Sequence, residues 1–140
     1  MLIAGVVAFM ALTGPVIAIP DDPCAERPPV RNVDGVRLQP VAMKAFLRAQ
    51  RDAGVSIPVV QSYRSCAEQR RACRSICGNP EGCRGLCAPP GLSWHQLGAA
   101  IDITQEGLDD PRIFQALIDN GWCQSLPDSD PGHFSFDGCH

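Results

Sequence analysis

The chain has 140 residues, a formal net charge of -3 and 6% aromatic side chains. That length holds one domain with a small core and no more. With no basic stripe and few aromatics, the composition excludes a nucleic-acid surface, whether built on phosphate contacts or on base stacking.

Residues 1–19 carry no charged side chain. The stretch is long for the apolar region of a signal peptide and borderline for a membrane span. Val16-Ile17-Ala18 has the small-residue character of a cleavage site, although the usual positive residues are missing. A cleaved signal is the expectation and an uncleaved anchor the alternative. Either puts the rest of the chain outside the cytoplasm, with membrane contact only through this segment. The eight cysteines agree: Cys24, Cys66, Cys73, Cys77, Cys83, Cys87, Cys123 and Cys139. An even count in a short exported chain implies a disulfide framework. Cys66, Cys73 and Cys77 recur on one helix face, and Cys83 and Cys87 follow in a Gly-rich loop. Helix and loop are therefore expected to be stapled to each other and to the body of the domain. Roughly a hundred connectivities are possible and spacing selects none. A thiolate zinc knuckle is the rival reading, but Cys-x3-Cys spacing and export weigh against it.

Residues 20–37 are Pro- and charge-rich and read as an irregular lead-in to a domain over 38–140. Pro40 suits the first turn of a helix, with Val41, Ala45, Phe46 and Ala49 as its apolar stripe and Gly54 as its stop. Residues 57–62 predict a short strand. Ser65 and Glu68 form a capping-box pattern, so the Cys66 helix starts there. Residues 99–103 predict a buried strand. Asp110-Pro111 opens another helix, apolar at Ile113, Phe114, Leu117 and Ile118 and closed by Gly121. Residues 122–125 and 132–136 predict further short strands. The order implies an α+β fold around a small, mostly antiparallel sheet with flanking helices.

Chemistry concentrates in residues 93–102 and 130–134, which hold two of the three histidines. His95 precedes three small residues, Gly98, Ala99 and Ala100, where backbone and ligand approach closely. Ile101 and Ile103 point to one face of a strand and Asp102 to the other. A carboxylate in such a strand is costly unless it meets a cation or several donors. Two imidazoles and a carboxylate would leave zinc an open fourth position, as in catalytic sites. Other readings stay open. Asp102 could pair with an arginine, and His133 could be an ordinary strand histidine. His140 reads as a frayed terminus.

Ser93-x-His95-x-x-Gly98-x-Ala100-x-Asp102, with a later Gly-His element, resembles the zinc D-alanyl-D-alanine peptidases. These include VanY-type carboxypeptidases, VanX-type dipeptidases and L-alanyl-D-glutamate endopeptidases. Ser62-Tyr63-Arg64-Ser65 with Gln69, and Gly121-Trp122, resemble two further family segments, so the likeness spans about residues 38–136. The resemblance implies a compact α+β domain, shared in outline with the hedgehog signalling domain. It implies His95, Asp102 and His133 as ligands of Zn2+, with Arg64 binding substrate or stabilising the oxyanion. Asp130 matches the general base, where the family often has Glu. Ser93, Gln69 and Tyr63 are the implied substrate contacts. Gly132 replaces a Trp and would open one wall of the site. The bland readings are an Arg64–Glu68 surface pair, an exposed Gln69, and a solvated turn at Asp128 and Asp130. The resemblance implies a secreted zinc metallopeptidase acting on peptidoglycan stem peptides, foremost as a D-alanyl-D-alanine carboxypeptidase. The alternatives are an L-alanyl-D-glutamate endopeptidase, a non-catalytic peptidoglycan- or protein-binding domain of the same fold, and a metal-free disulfide-stapled structural protein.

Overall fold

The computed structural model describes residues 16–22 and 24–139, so most of the expected signal or anchor segment over residues 1–19, and His140, lie outside the described residues. The expected lead-in is irregular only in part, because β1 (Arg31–Val33) and β2 (Val36–Leu38) form an antiparallel hairpin. Its turn is Asp34-Gly35, with φ of 51° and 86°. Two successive left-handed residues match the right-handed twist of a tight hairpin, and Asp-Gly tolerates them well. The Asn32 side chain accepts from the Gly35 N–H at 3.0 Å and closes the turn.

Helix α1 (Pro40–Ala53) starts on its proline and ends at Gly54, whose φ of 70° satisfies the last carbonyls. After β3 (Val59–Gln61) comes α2 (Cys66–Cys77), opened by a complete Ser65–Glu68 capping box. Strand β4 (Ala100–Ile103) leads into a five-residue helix, α3 (Gln105–Asp109), capped by Thr104 and not anticipated from the pattern. Asp110 then caps α4 (Pro111–Asp119), followed by β5 (Trp122–Cys123) and β6 (His133–Phe136).

Strands β3, β4, β6 and β5 lie in that order in one antiparallel sheet. Its two faces divide the labour. Ile101 and Ile103 of β4 and Phe134 and Phe136 of β6 join Ala42, Met43 and Phe46 of α1 and Ile113 and Leu117 of α4 in the core. Each large side chain buried there contributes about 1.5–3 kcal/mol. Alternation sends Asp102, His133 and Ser135 to the opposite face.

Four disulfides brace this small body: Cys24–Cys66, Cys73–Cys87, Cys77–Cys83 and Cys123–Cys139. The helix and loop cysteines are stapled as expected. Cys24–Cys66, spanning 42 residues, ties the start of α2 to the N-terminal segment. Chain-entropy arithmetic values that closure at about 4 kcal/mol.

Two predictions follow from these local structures. Gly98 has φ 67°, and a Cβ there would lie 3.0 Å from the Gln39 backbone nitrogen. Gly98→Ala should cost about 1–3 kcal/mol in a denaturant-unfolding measurement. The second concerns Glu68, whose carboxyl lies below its ordinary 4.5 chiefly because the Ser65 backbone N–H donates to it, with burial opposing and Arg37 assisting. A lowered carboxylate pKa adds stability that is present above 4.5 and lost as pH falls through the folded-state value. Urea curves of Glu68→Gln and wild type should therefore differ most near neutrality and converge in acid.

Candidate metal centre

His95 sits in the loop before β4, and the loop's own hydrogen bonds set its position. Its N–H donates to Ser93 Oγ at 3.3 Å, and its carbonyl accepts from the N–H groups of Arg64 and Gly98 at 3.1 Å each. Its ring Nδ1 lies 2.7 Å from the Ser62 carbonyl. A carbonyl only accepts, so Nδ1 carries the proton and Nε2 presents its lone pair. That Nε2 is 3.2 Å from Asp102 Oδ1.

His133 approaches from the neighbouring strand. The β4–β6 register places it directly opposite Asp102. Its Nδ1 is 2.9 Å from the same Oδ1, and its Nε2 is 3.1 Å from Ser135 Oγ, which in turn contacts Ser125 Oγ at 3.2 Å. One ligand atom from each of His95, Asp102 and His133 falls within 4.8 Å of the others. A neutral imidazole lone pair aimed at a carboxylate oxygen is repulsive unless a proton or a cation stands between them. The donor set therefore fits a metal ion, with Ser62 and Ser135 fixing the rings from behind. Burial pushes the Asp102 carboxyl up; where the intervening positive charge is a proton, hydrogen bonds from His133 and His95 outweigh burial and hold the group far below its ordinary 3.8.

The three residues open into a cleft of about 380 Å³ shared with Arg64, Gln69, Ser93 and Asp130. Arg64 does not pair with Glu68. One guanidinium nitrogen donates to Gln69 Oε1 at 3.0 Å, and another lies 3.8 Å from Asp102 Oδ2. Gln69 is buried rather than exposed, and its amide also donates to the Ala88 carbonyl at 2.8 Å. With both ends engaged inside the protein, it positions Arg64. Ser93 is buried and lines the cleft. Asp130 is exposed at the cleft edge, its backbone carbonyl accepting from the His133 N–H at 3.1 Å. Asp128 does not line the cleft.

Tyr63 is buried beneath the Arg37 guanidinium, 5.4 Å from the ring centroid, and lines a second cavity with Arg64, Glu68 and Arg71, Arg64 being common to it and the metal cleft. One expectation changes. Gly132 does not open a wall. A Cβ there would lie 2.7 Å from the Ile103 carbonyl oxygen, so the residue is glycine because two backbones meet. The supporting serines were missed. Ser62 acts through its backbone, which residue type does not reveal, but Ser135 lies two residues along β6 from His133 and so shares its face.

Residues 38–126 match the family described as VanY: D-alanyl-D-alanine carboxypeptidase. The chain belongs to this family. The VanY match includes Arg64, His95 and Asp102 and ends before Asp130 and His133, so the last two enter through the geometry. No curated protein matches the chain. Among solved structures, the chain is similar to VanYB in complex with D-alanine-D-alanine, at 20% identity and TM-score 0.61, covering 86% of this chain and 82% of that one. It is also similar to a point mutant of the vancomycin-resistance D,D-pentapeptidase VanY from a VanB-type cassette in complex with Zn(II), at 22% identity, TM-score 0.57 and 80% of each chain. These likenesses show a shared fold.

Removing the outer hydrogen bond tests the geometry. Ser135→Ala should weaken divalent metal binding roughly 10–100-fold in a chelator-competition titration at fixed pH.

Proposed function

We propose that this protein is a zinc metallopeptidase that hydrolyses peptidoglycan stem peptides as a D-alanyl-D-alanine carboxypeptidase. The observation that carries this reading is the convergence of His95 Nε2, Asp102 Oδ1 and His133 Nδ1 on one point of a cleft that also holds a cation, Arg64, and an exposed carboxylate, Asp130. Membership of the VanY family supports the reaction class. The bound D-alanine-D-alanine in one similar structure and the Zn(II) in another support the substrate and the metal.

His95, Asp102 and His133 would hold the ion, which when bound polarises an amide carbonyl and brings the pKa of water from about 15.7 toward about 7. The chain's own residues do the rest. The Asp130 side chain forms no hydrogen bond or ion pair among the described residues, its backbone alone being bonded, so its carboxylate is free to take the proton of the attacking water. It then delivers that proton to the leaving amine. Arg64, steadied by Gln69, offers guanidinium N–H groups to the charge that develops on the carbonyl oxygen. No charge reorganisation is needed at that moment, because the cation is already fixed beside the ligands. Four disulfides support action outside the cytoplasm, where peptidoglycan is found. Among the described residues, no helix is long and apolar enough to cross a membrane.

The test is incubation with defined muropeptides, with and without a chelator, read by mass spectrometry. Chelator-sensitive loss of one terminal alanine is expected; cleavage only at another bond would replace the carboxypeptidase reading. Asp130→Ala should keep stoichiometric zinc and lose roughly 10²–10⁴-fold in turnover. His133→Ala should lose both zinc and activity. Equal turnover in wild type and Asp130→Ala would remove Asp130 from the base role.

A further inference from the structure

Gln39, the residue just before α1, is polar yet only 1% exposed. It holds the loop that carries His95. Its backbone N–H donates to the Gly98 carbonyl at 2.8 Å, and its side-chain amide donates to the Leu97 carbonyl at 2.5 Å. The Gly98 N–H in turn donates to the His95 carbonyl at 3.1 Å. The rest of the Gln39 amide is taken by the N-terminal segment. Its Oε1 accepts from the Ala18 N–H at 2.9 Å, and its Nε2 donates to the Ala18 carbonyl at 2.6 Å. Both amide hydrogens and the amide oxygen are therefore engaged. One residue earlier, Ile17 is 8% exposed and packs in the core, while Val16 and Ile19 on either side stand out at 78% and 70%.

These seated residues are the ones whose small side chains suggest a cleavage site, Val16-Ile17-Ala18. A cut after Ala18 would carry away the buried Ile17 and both bonds from Ala18 to Gln39. The buried amide would keep its Leu97 contact and lose the other two, which is costly where water does not replace them. We propose that Ile17 and Ala18 form a permanent strap of the active protein, acting through Gln39 to position the His95 loop, so that the working chain is not cut after Ala18. Gln39 is thus a positioning residue, acting on His95 through Leu97 and Gly98 rather than touching a reacting group. The consequence for a bound ion rests on the metal reading above, whereas the strap rests on its own contacts.

The test uses the full chain exported by a bacterial host, with two variants made in it. Ile17→Ala/Ala18→Pro removes the buried side chain and the Ala18 N–H, and Gln39→Leu removes the amide at similar volume. The intact mass of the recovered wild type should include Ile17 and Ala18; folded protein beginning at Ile19 overturns the proposal. Amide hydrogen exchange is then compared across the three proteins as isolated. The Arg64 and Gly98 amides both donate to the His95 carbonyl. They should exchange roughly tenfold faster in both variants, and the amides of α4 should change far less. Unchanged exchange at those two amides, or equal acceleration in α4, overturns the positioning role. Zinc affinity, read by chelator competition, should fall roughly tenfold in both variants. Unaltered zinc affinity despite faster exchange also overturns it. Faster loop exchange in the variants of a chain whose wild type binds no zinc keeps the strap and refutes the metal reading. Zinc binding with unchanged loop exchange does the reverse.

Discussion

The antiparallel pairing that sets Asp102 of β4 opposite His133 of β6 is the constraint on which the site depends. The same register sets Ile101 opposite Phe134 on the other face, so core packing and site geometry are one decision. A slip of one residue would turn the isoleucines and phenylalanines toward the cleft and the carboxylate and imidazole into the core. Two tight contacts guard against it. The Ile103 N–H donates to the Gly132 carbonyl at 3.0 Å just beyond the pair, and Cys123–Cys139 links β5 to the end of the chain after β6. Gly132 tolerates the first contact because it has no Cβ to meet the Ile103 carbonyl.

Electrostatics follows from that register. A half-buried carboxylate facing two imidazole lone pairs needs a positive charge between them, and the Arg64 guanidinium on its other oxygen offsets part of the desolvation it suffers. Asp102 Oδ1 is shared by both rings while Oδ2 faces Arg64. The rings cannot rotate away, because Ser62 and Ser135 occupy their far nitrogens.

What could be read from the sequence was what neighbouring residues decide. The Ser65–Glu68 cap, Pro40 and Gly54 at the ends of α1, and the alternation around Asp102 are all written within a few positions of one another. The β1–β2 hairpin was also local, but three-residue strands carry too little alternation, and the Asp34-Gly35 turn was its one signal. Helix α3 is shorter than the two turns that a helical period needs. Pairings across long separations were different. Asp102 and His133 stand 31 positions apart, and nothing local joins them. Their association came from resemblance to a family, and the geometry then supplied its physical content. Gln69 shows the limit from the other side. A polar residue in a charged helix reads as exposed, yet it is buried because the cysteine loop folds over it and offers the Ala88 carbonyl.

That loop also accounts for the number of cysteines. Between Gly78 and Leu92 the chain has no helix or strand, only turns and one isolated bridge between Cys83 and Cys87. Its large apolar side chains point away from the core, so burial cannot hold it. Backbone hydrogen bonds alone would leave it exchanging with solvent. Covalent closure over separations of 14 and 6 residues removes the alternatives instead. A segment fixed in this way can keep Leu86 and Leu92 exposed at the cleft and still stay in place. The remaining two disulfides act elsewhere, at the N-terminal segment and at the last strand. A domain of this size has little core to spare for such work. The Cys73–Cys87 and Cys77–Cys83 pairs therefore hold in place the part of the cleft that hydrophobic burial does not reach.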